Sequence, residues 1–156
     1  MNAGLDDNAA FLDRVRDYLG TRMPDADDLV ITNVQRIAVG WSHETWLFDL
    51  TYRENGEARE QGLCLRRDPG NALLRHLSDL EEQFRVLQCL EATALPAPKV
   101  FWYESDPAIL DAPFLVMEKV PGECPNPWGR AGRKFYAEAA ARGTLNWRVS
   151  KIALLD

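Results

Sequence analysis

Residues Glu44–Arg67 read ETWLFDLTYRENGEAREQGLCLRR, and this stretch decides the fold. Trp46, Phe48 and Leu50 fall on every second position of Glu44–Tyr52, the period of a strand with one face in a core. Glu54-Asn55-Gly56-Glu57 follows, and an Asn-Gly pair readily takes the positive φ angles of a two-residue hairpin turn. The chain then returns through Gly62-Leu63-Cys64-Leu65-Arg66-Arg67. Alternation there turns Leu63 and Leu65 toward the core and Cys64 and Arg66 toward the opposite face.

Upstream of the hairpin, Leu29–Val39 is rich in Val, Ile and Thr and reads as a preceding strand, joined to the hairpin by the turn Gly40-Trp41-Ser42-His43. Before it lie the acidic stretch MPDADD and a helix predicted from about Ala9 to Leu19, where Phe11, Leu12, Val15, Tyr18 and Leu19 share a face and Gly20 follows as a stop. Downstream, Asp68-Pro69-Gly70-Asn71 breaks the third strand, and Ser78-Asp79-Leu80-Glu81 has the form of a capping box that opens a helix. Leu80, Phe84, Leu87 and Glu91 lie near one line of that helix, flanked by Leu77 and Leu90. Pro96 and Pro98 close it. Two strand-like runs follow, Lys99–Tyr103 and Pro113–Val120, with Asp106-Pro107 and Asp111 as breaks between them and Pro121-Gly122 after them. The remainder is helical around the Ala-rich run Phe135–Ala141, with Gly143 interrupting it. Three strands, a helix and two strands exclude a doubly wound sheet, which needs helices between most strands, and a sandwich, which has no long central helix.

Composition bounds the function. A formal charge of -6 argues against a nucleic-acid surface, which needs a basic face. The first twenty residues have acidic positions before a short amphipathic helix and no basic flank leading into an apolar segment, so no signal peptide is expected. No apolar run approaches the roughly 20 residues that span a bilayer, and a cytoplasmic protein is expected. Cys64, Cys89 and Cys124 are widely spaced with few histidines near them, which reads as reduced thiols and no metal site.

Several segments carry a resemblance: Val39-Gly40-Trp41-Ser42-His43-Glu44-Thr45-Trp46, Leu63-Cys64-Leu65-Arg66-Arg67-Asp68-Pro69-Gly70, Glu81-Glu82-Gln83-Phe84-Arg85-Val86-Leu87, Leu95-Pro96-Ala97-Pro98-Lys99-Val100, and Pro113-Phe114-Leu115-Val116-Met117-Glu118-Lys119-Val120-Pro121-Gly122. In order and spacing they resemble the aminoglycoside phosphotransferase-like enzymes, which include choline-kinase-like relatives and the phosphotransferase domains associated with acyl-CoA dehydrogenases. The resemblance implies an α+β fold, the amino-terminal lobe of the protein-kinase-like fold. A five-stranded antiparallel sheet with one packed helix would span 29–120, after an N-terminal helical segment in 1–28 and before a hinge and C-terminal helices in 121–156.

It also implies a nucleotide site. Gly40, Ser42 and His43 would lie over the phosphates, where a small residue and backbone N–H groups approach an anion closely; an ordinary hairpin turn is the plainer reading, and His43 reads as a polar loop residue. Arg66 falls where kinases place the lysine that holds the α- and β-phosphates, and its guanidinium can grip phosphate through a fork of donors. The family's orienting glutamate falls on Gln83, so Arg66 would be held by a neutral hydrogen bond. Helical phase puts Gln83 near the inward line through Leu80 and Leu87 and turns Glu82 away. Met117 would back the adenine or simply fill the core, and the Glu118 carbonyl and Val120 N–H would meet the adenine edge.

The family transfers phosphate with a His-Gly-Asp loop, an Asn five residues on and a later metal-binding Asp. Beyond Met117 this sequence has no His, and its single Asp is Asp156. The expectation is therefore the ATP-binding lobe of an enzyme that phosphorylates a small-molecule hydroxyl, not catalytic as this chain alone, with Mg²⁺ held only together with a carboxyl-terminal lobe. The alternative is a non-catalytic interaction module, for which a homodimer would cover the apolar surface an unmatched lobe exposes.

Overall fold

The computed structural model describes residues 3–37, 43–68, 79–122 and 130–142. The chain runs α1 (Ala3–Arg22), β1 (Ala26–Ile37), β2 (Glu44–Glu54), β3 (Glu57–Arg67), α2 (Leu80–Glu91), β4 (Val100–Glu104), α3 (Pro107–Leu110), β5 (Phe114–Glu118) and α4 (Arg130–Ala141). The strands make one five-stranded antiparallel sheet in the order β1-β2-β3-β5-β4. The chain divides into two compact units, Met1–Val120 with the sheet and Pro121–Asp156 with α4. Among the described residues no helix is long and apolar enough to cross a membrane.

The central hairpin sets the register. Asn55 and Gly56 take φ angles of 54° and 80°, the doubly positive turn whose twist matches that of the flanking strands. From that turn the pairing runs without a shift from Glu54 opposite Glu57 to Glu44 opposite Arg67. Trp46 therefore faces Leu65 and Phe48 faces Leu63. With Leu50, Phe114 and Val116 they form one apolar face, which Val15, Tyr18 and Leu19 of α1 cover. Burial of each large side chain contributes about 1.5–3 kcal/mol, and Phe48, Leu63, Leu65 and Phe114 are buried completely.

The structure moves several expected boundaries. The first helix does not stop at Gly20 but continues to Arg22. Gly20 has open space around it, and its cost of about 1 kcal/mol in a helix is offset by the buried Leu19 and by the Thr21 hydroxyl, which donates to the Tyr18 carbonyl at 2.7 Å. The first strand begins at Ala26, inside the acidic stretch, with Ala26 and Asp27 in register with Glu54 and Arg53 of β2. Its irregularities, with Asp28 at φ 56° and Asn33 at φ 51°, bend an edge strand that would otherwise be long and flat. The third strand starts at Glu57, since a two-residue turn pairs its flanks at once. Asp79, not Ser78, caps α2: its carboxylate accepts from the Glu81 N–H at 2.8 Å. The Asp106-Pro107 break is itself a helix start, with Asp106 capping Ala108 at 2.9 Å and Pro107 in the first turn. The last described helix begins at Arg130, ahead of Phe135.

Leu65 packs at the centre of this core on a strand with neighbours on both sides, so the site cannot collapse around a truncation. Leu65→Ala is expected to lower the unfolding free energy by about 2–5 kcal/mol, read from the urea midpoint at an unchanged slope. A loss below about 1 kcal/mol would show that β3 is not the core strand described.

Candidate functional site

Adjacent residues of β3 leave opposite faces of the sheet, and Arg66 and Arg67 enter different surroundings. Arg67 turns to the α1 side, where Nε and Nη2 donate to Glu44 Oε2 at 3.0 and 2.7 Å and Nη1 donates to the Leu110 carbonyl at 2.7 Å. Its guanidinium also lies over the Phe11 ring, 5.2 Å from the centroid. Its charge is answered. Arg66 turns to α2, where Nη1 donates to Gln83 Oε1 at 2.9 Å and Nη2 lies 3.2 Å from His43 Nδ1. Arginine can only donate, so His43 Nδ1 must present its lone pair.

Both partners of Arg66 are neutral acceptors, and among the described residues no carboxylate forms an ion pair with it. Burial holds the guanidinium below its ordinary pKa range, with the Cys64 thiol pulling the other way. Burial also pushes that thiol up to about 11, so at neutral pH Cys64 is uncharged and supplies no counter-charge. A cation drawn partly out of water without an opposing charge is costly, and the N–H donors of Arg66 that no described residue takes can offset that cost by taking an anion.

The helix places Gln83 by its packing. Asp79 fixes the first turn and Leu80 is buried. Phe84 meets Tyr103 with ring centroids 6.1 Å apart. Glu91 accepts from the Val100 N–H at 3.0 Å, which ties the far end of α2 to β4. Gln83 thus projects to the sheet and Glu82 to solvent.

The sequence-predicted residues are distributed as follows. Gly40 and Ser42 lie outside the described residues. His43, read as a polar loop residue, is instead 8% exposed and held against Arg66; its position one residue before β2 carries it under the sheet's end. Arg66, Gln83 and His43 are brought into contact. Met117 sits opposite Cys64, two residues along β3 from Arg66 and on the same face. Glu118 and Val120 are exposed at the end of β5, where the Glu118 N–H donates to Lys99 O at 2.8 Å and the Lys119 N–H to Gly62 O at 3.0 Å.

Two features escaped the sequence. Lys119 reaches across the Arg66 face to Asp49, with Nζ 2.5 Å from Oδ1, while Asn33 donates to Oδ2 at 2.8 Å. Gly62 makes room for this strap, since a Cβ there would stand 3.2 Å from Lys119 Cβ. The available signal was Asp49 itself, a carboxylate placed by alternation opposite a glycine. The second is a cleft of about 350 Å³ on the α1 side, lined by Phe11, Arg14, Arg36, Glu44, Trp46 and Arg67 among others. None of the predicted site residues lines it.

A sheet of three strands followed, across a packed helix, by two more, with a cation on the third strand met by a polar residue of that helix, defines a kinase-like amino-terminal lobe. The sequence profile of the phosphotransferase enzyme family (APH) matches residues 33–143, and the chain belongs to that family. It is similar to mouse (Mus musculus) acyl-CoA dehydrogenase family member 10, 28% identical over 89 residues covering 52% of this chain and 8% of that protein. It is also similar to the probable acyl-CoA dehydrogenase IBR3 of Arabidopsis thaliana, 32% identical over 90 residues covering 57% of this chain and 10% of that protein. Acyl-CoA dehydrogenase family member 11 of Rattus norvegicus is 27% identical over 107 residues, 67% of this chain and 13% of that protein. The chain thus matches about a tenth of the length of these curated relatives. A crystal structure from Ralstonia eutropha, provisionally assigned as an aminoglycoside phosphotransferase, aligns with a TM-score of 0.49 at 21% identity, over 72% of this chain and 28% of that one.

The Lys119 and Asn33 hydrogen bonds hold the Asp49 carboxyl below its usual range. A folded-state pKa below the unfolded one gives stability that is fully present above the unfolded value, about 3.9, and lost as pH falls through the folded value. Asp49→Asn is expected to reduce the decline of melting temperature between about pH 5 and pH 3. Parallel melting curves for the two proteins over that range would mean the strap stores no pH-dependent stability.

Proposed function

We propose that residues 1–120 form the ATP-binding lobe of a phosphotransferase that passes the γ-phosphate of ATP to a small-molecule hydroxyl. The observation that carries this reading is Arg66, a partly buried guanidinium whose partners among the described residues are two neutral acceptors. A nucleotide supplies the missing charge: the fork of Arg66 takes the α- and β-phosphate oxygens, while Gln83 and His43 hold its plane. Gly40 and Ser42 precede His43 in the sequence, and the same reading assigns their backbone N–H groups to the phosphates. The Glu118 carbonyl and Val120 N–H take the adenine edge, and Met117 lines the base on the Arg66 face.

Among the described residues no group of three or more His, Cys, Asp or Glu side chains is placed to hold a metal. The family's base and metal ligands belong to a His-Gly-Asp loop and a later Asp, and after Met117 this sequence offers no His and only Asp156. We assign this chain binding of the nucleotide and not the transfer itself; the hydroxyl acceptor is selected by the complete enzyme.

Isothermal titration with ADP and with Mg-ATP tests this. Arg66→Ala is expected to weaken ADP by about 10–100-fold, the scale of hydrogen bonds to a charged group. No heat of binding from a demonstrably folded parent protein would reject it. It would turn attention to an interaction module, which the exposed Val30 and Val34 on the edge strand β1 favour.

A further inference from the structure

Strand alternation gathers arginines on the α1 face of the sheet, the face that the nucleotide reading leaves unused. Arg36 stands opposite Trp46 across β1 and β2, and Arg67 opposite Glu44 across β2 and β3; directly opposed residues share a face. With Arg14 of α1, the three guanidiniums line one cleft of about 350 Å³. Two carboxylates bridge them. Glu44 takes Arg36 Nη2 on Oε1 and Arg67 Nη2 on Oε2, each at 2.7 Å. Asp111 Oδ2 lies 2.7 Å from Arg14 Nη1 and 4.0 Å from Arg67 Nη1. The described lining thus sets three permanent cations against two carboxylates, on a chain whose formal charge is -6. We propose that this cleft is a second ligand site, which takes the oxyanion of a small molecule, a phosphate or carboxylate group, on Arg36, with Arg14 and Arg67 adding their charge.

Donors outnumber acceptors at this cleft. A guanidinium carries five N–H groups; Arg36 donates one, to Glu44, and no described acceptor takes the others. Its guanidinium lies over the Trp46 ring, 5.2 Å from the centroid. Trp46 also lines the cleft, and its indole Nε1 is the buried side-chain nitrogen that lacks a hydrogen-bond partner among the described residues. The aromatic wall is already engaged: Phe11 stacks on Trp46 with centroids 4.7 Å apart, and Arg67 lies over Phe11. Recognition therefore falls to N–H donors and charge, and a guanidinium fork matches carboxylate and phosphate oxygens alike. Asp111 opposes such a ligand. The Arg14 hydrogen bond holds its carboxyl below the usual range, so it is ionised at neutral pH, and from its exposed position it competes for Arg14 and Arg67. Arg66 leaves β3 from the opposite face, so the cleft is a site in its own right whether or not the lobe binds a nucleotide.

The test follows the Trp46 indole N–H resonance of the full chain, assigned by its loss in Trp46→Phe, while inorganic phosphate or succinate is added at constant ionic strength. A saturable shift is expected in the millimolar range, the affinity that two charge-assisted hydrogen bonds supply. Saturation by phosphate alone would identify a phosphorylated ligand, and by succinate alone a carboxylate. Arg36→Gln, which keeps the side chain's reach at a half-exposed position and leaves Glu44 its bonds to Arg67, is expected to weaken binding about tenfold. Asp111→Asn, which tolerates the left-handed backbone at φ 60°, is expected to tighten it about 2–3-fold, the scale of an exposed charge. A purely structural network of ion pairs would not gain affinity by losing a carboxylate. The titration is expected to persist in Arg66→Ala; its disappearance there would mean that the anion acts from the nucleotide face, and would overturn the proposal. A linear, unsaturated drift with both anions, or equal curves for the parent, Arg36→Gln and Asp111→Asn, would overturn it as well.

Discussion

Two successive arginines on a strand cannot share a face, and the functional geometry of this lobe depends on that constraint. Arg67 goes to the α1 side and is consumed by Glu44, the Leu110 carbonyl and the Phe11 ring. Arg66 goes to the α2 side and, among the described residues, meets an amide oxygen and an imidazole. The register that makes this assignment comes from the Asn55-Gly56 turn at the other end of the hairpin. A one-residue slip there would exchange the faces of both arginines and turn Leu63 and Leu65 out of the core. Core and site are therefore specified by the same pairing, and neither can be shifted without losing the other.

The far end of the sheet is fixed by a different device. Lys119 donates its backbone N–H to Gly62 and extends its amine to Asp49, so the residue after β5 is tied to β3 by its main chain and to β2 by its side chain. Such a pair contributes little to stability where solvent screens it. Its effect is positional, because it ties the residue before Val120 to both β2 and β3 where the chain leaves the sheet.

Much of this was legible in the sequence, and the reasons differ by residue. Trp46, Phe48, Leu50, Leu63 and Leu65 announce a buried face because strand periodicity is local and leaves an alternating pattern. Gln83 was placed by the family resemblance with helical phase in agreement, and the structure puts its side-chain oxygen on Arg66. The losses came where tertiary contact overrides local preference. Gly20 stays helical because its neighbour Leu19 is held in the core, and the acidic Asp27 joins a strand through the backbone pairing of β1 with β2. His43 is the instructive miss: a lone histidine in a turn carries no sequence signal of burial, and only the closeness of three elements shows that it faces a cation. The Asp49–Lys119 strap joins residues seventy positions apart, a separation over which no pattern in the sequence speaks.

The exchange of a charged partner for a neutral one at the head of α2 shapes what the site can do. A glutamate against Arg66 would cancel its charge in the empty protein and would hold the guanidinium firmly, leaving a smaller net field for a phosphate. Glutamine leaves the full charge in place, at a desolvation cost borne by the free lobe. That cost can be carried because Leu63 and Leu65, on either side of Cys64 in the same strand, are wholly buried and anchor the backbone from which Arg66 projects. On the proposed reading, the uncancelled charge of Arg66 suits recognition of a phosphate chain. The arrangement gives up the rigid ion pair that kinases use to register that chain for transfer.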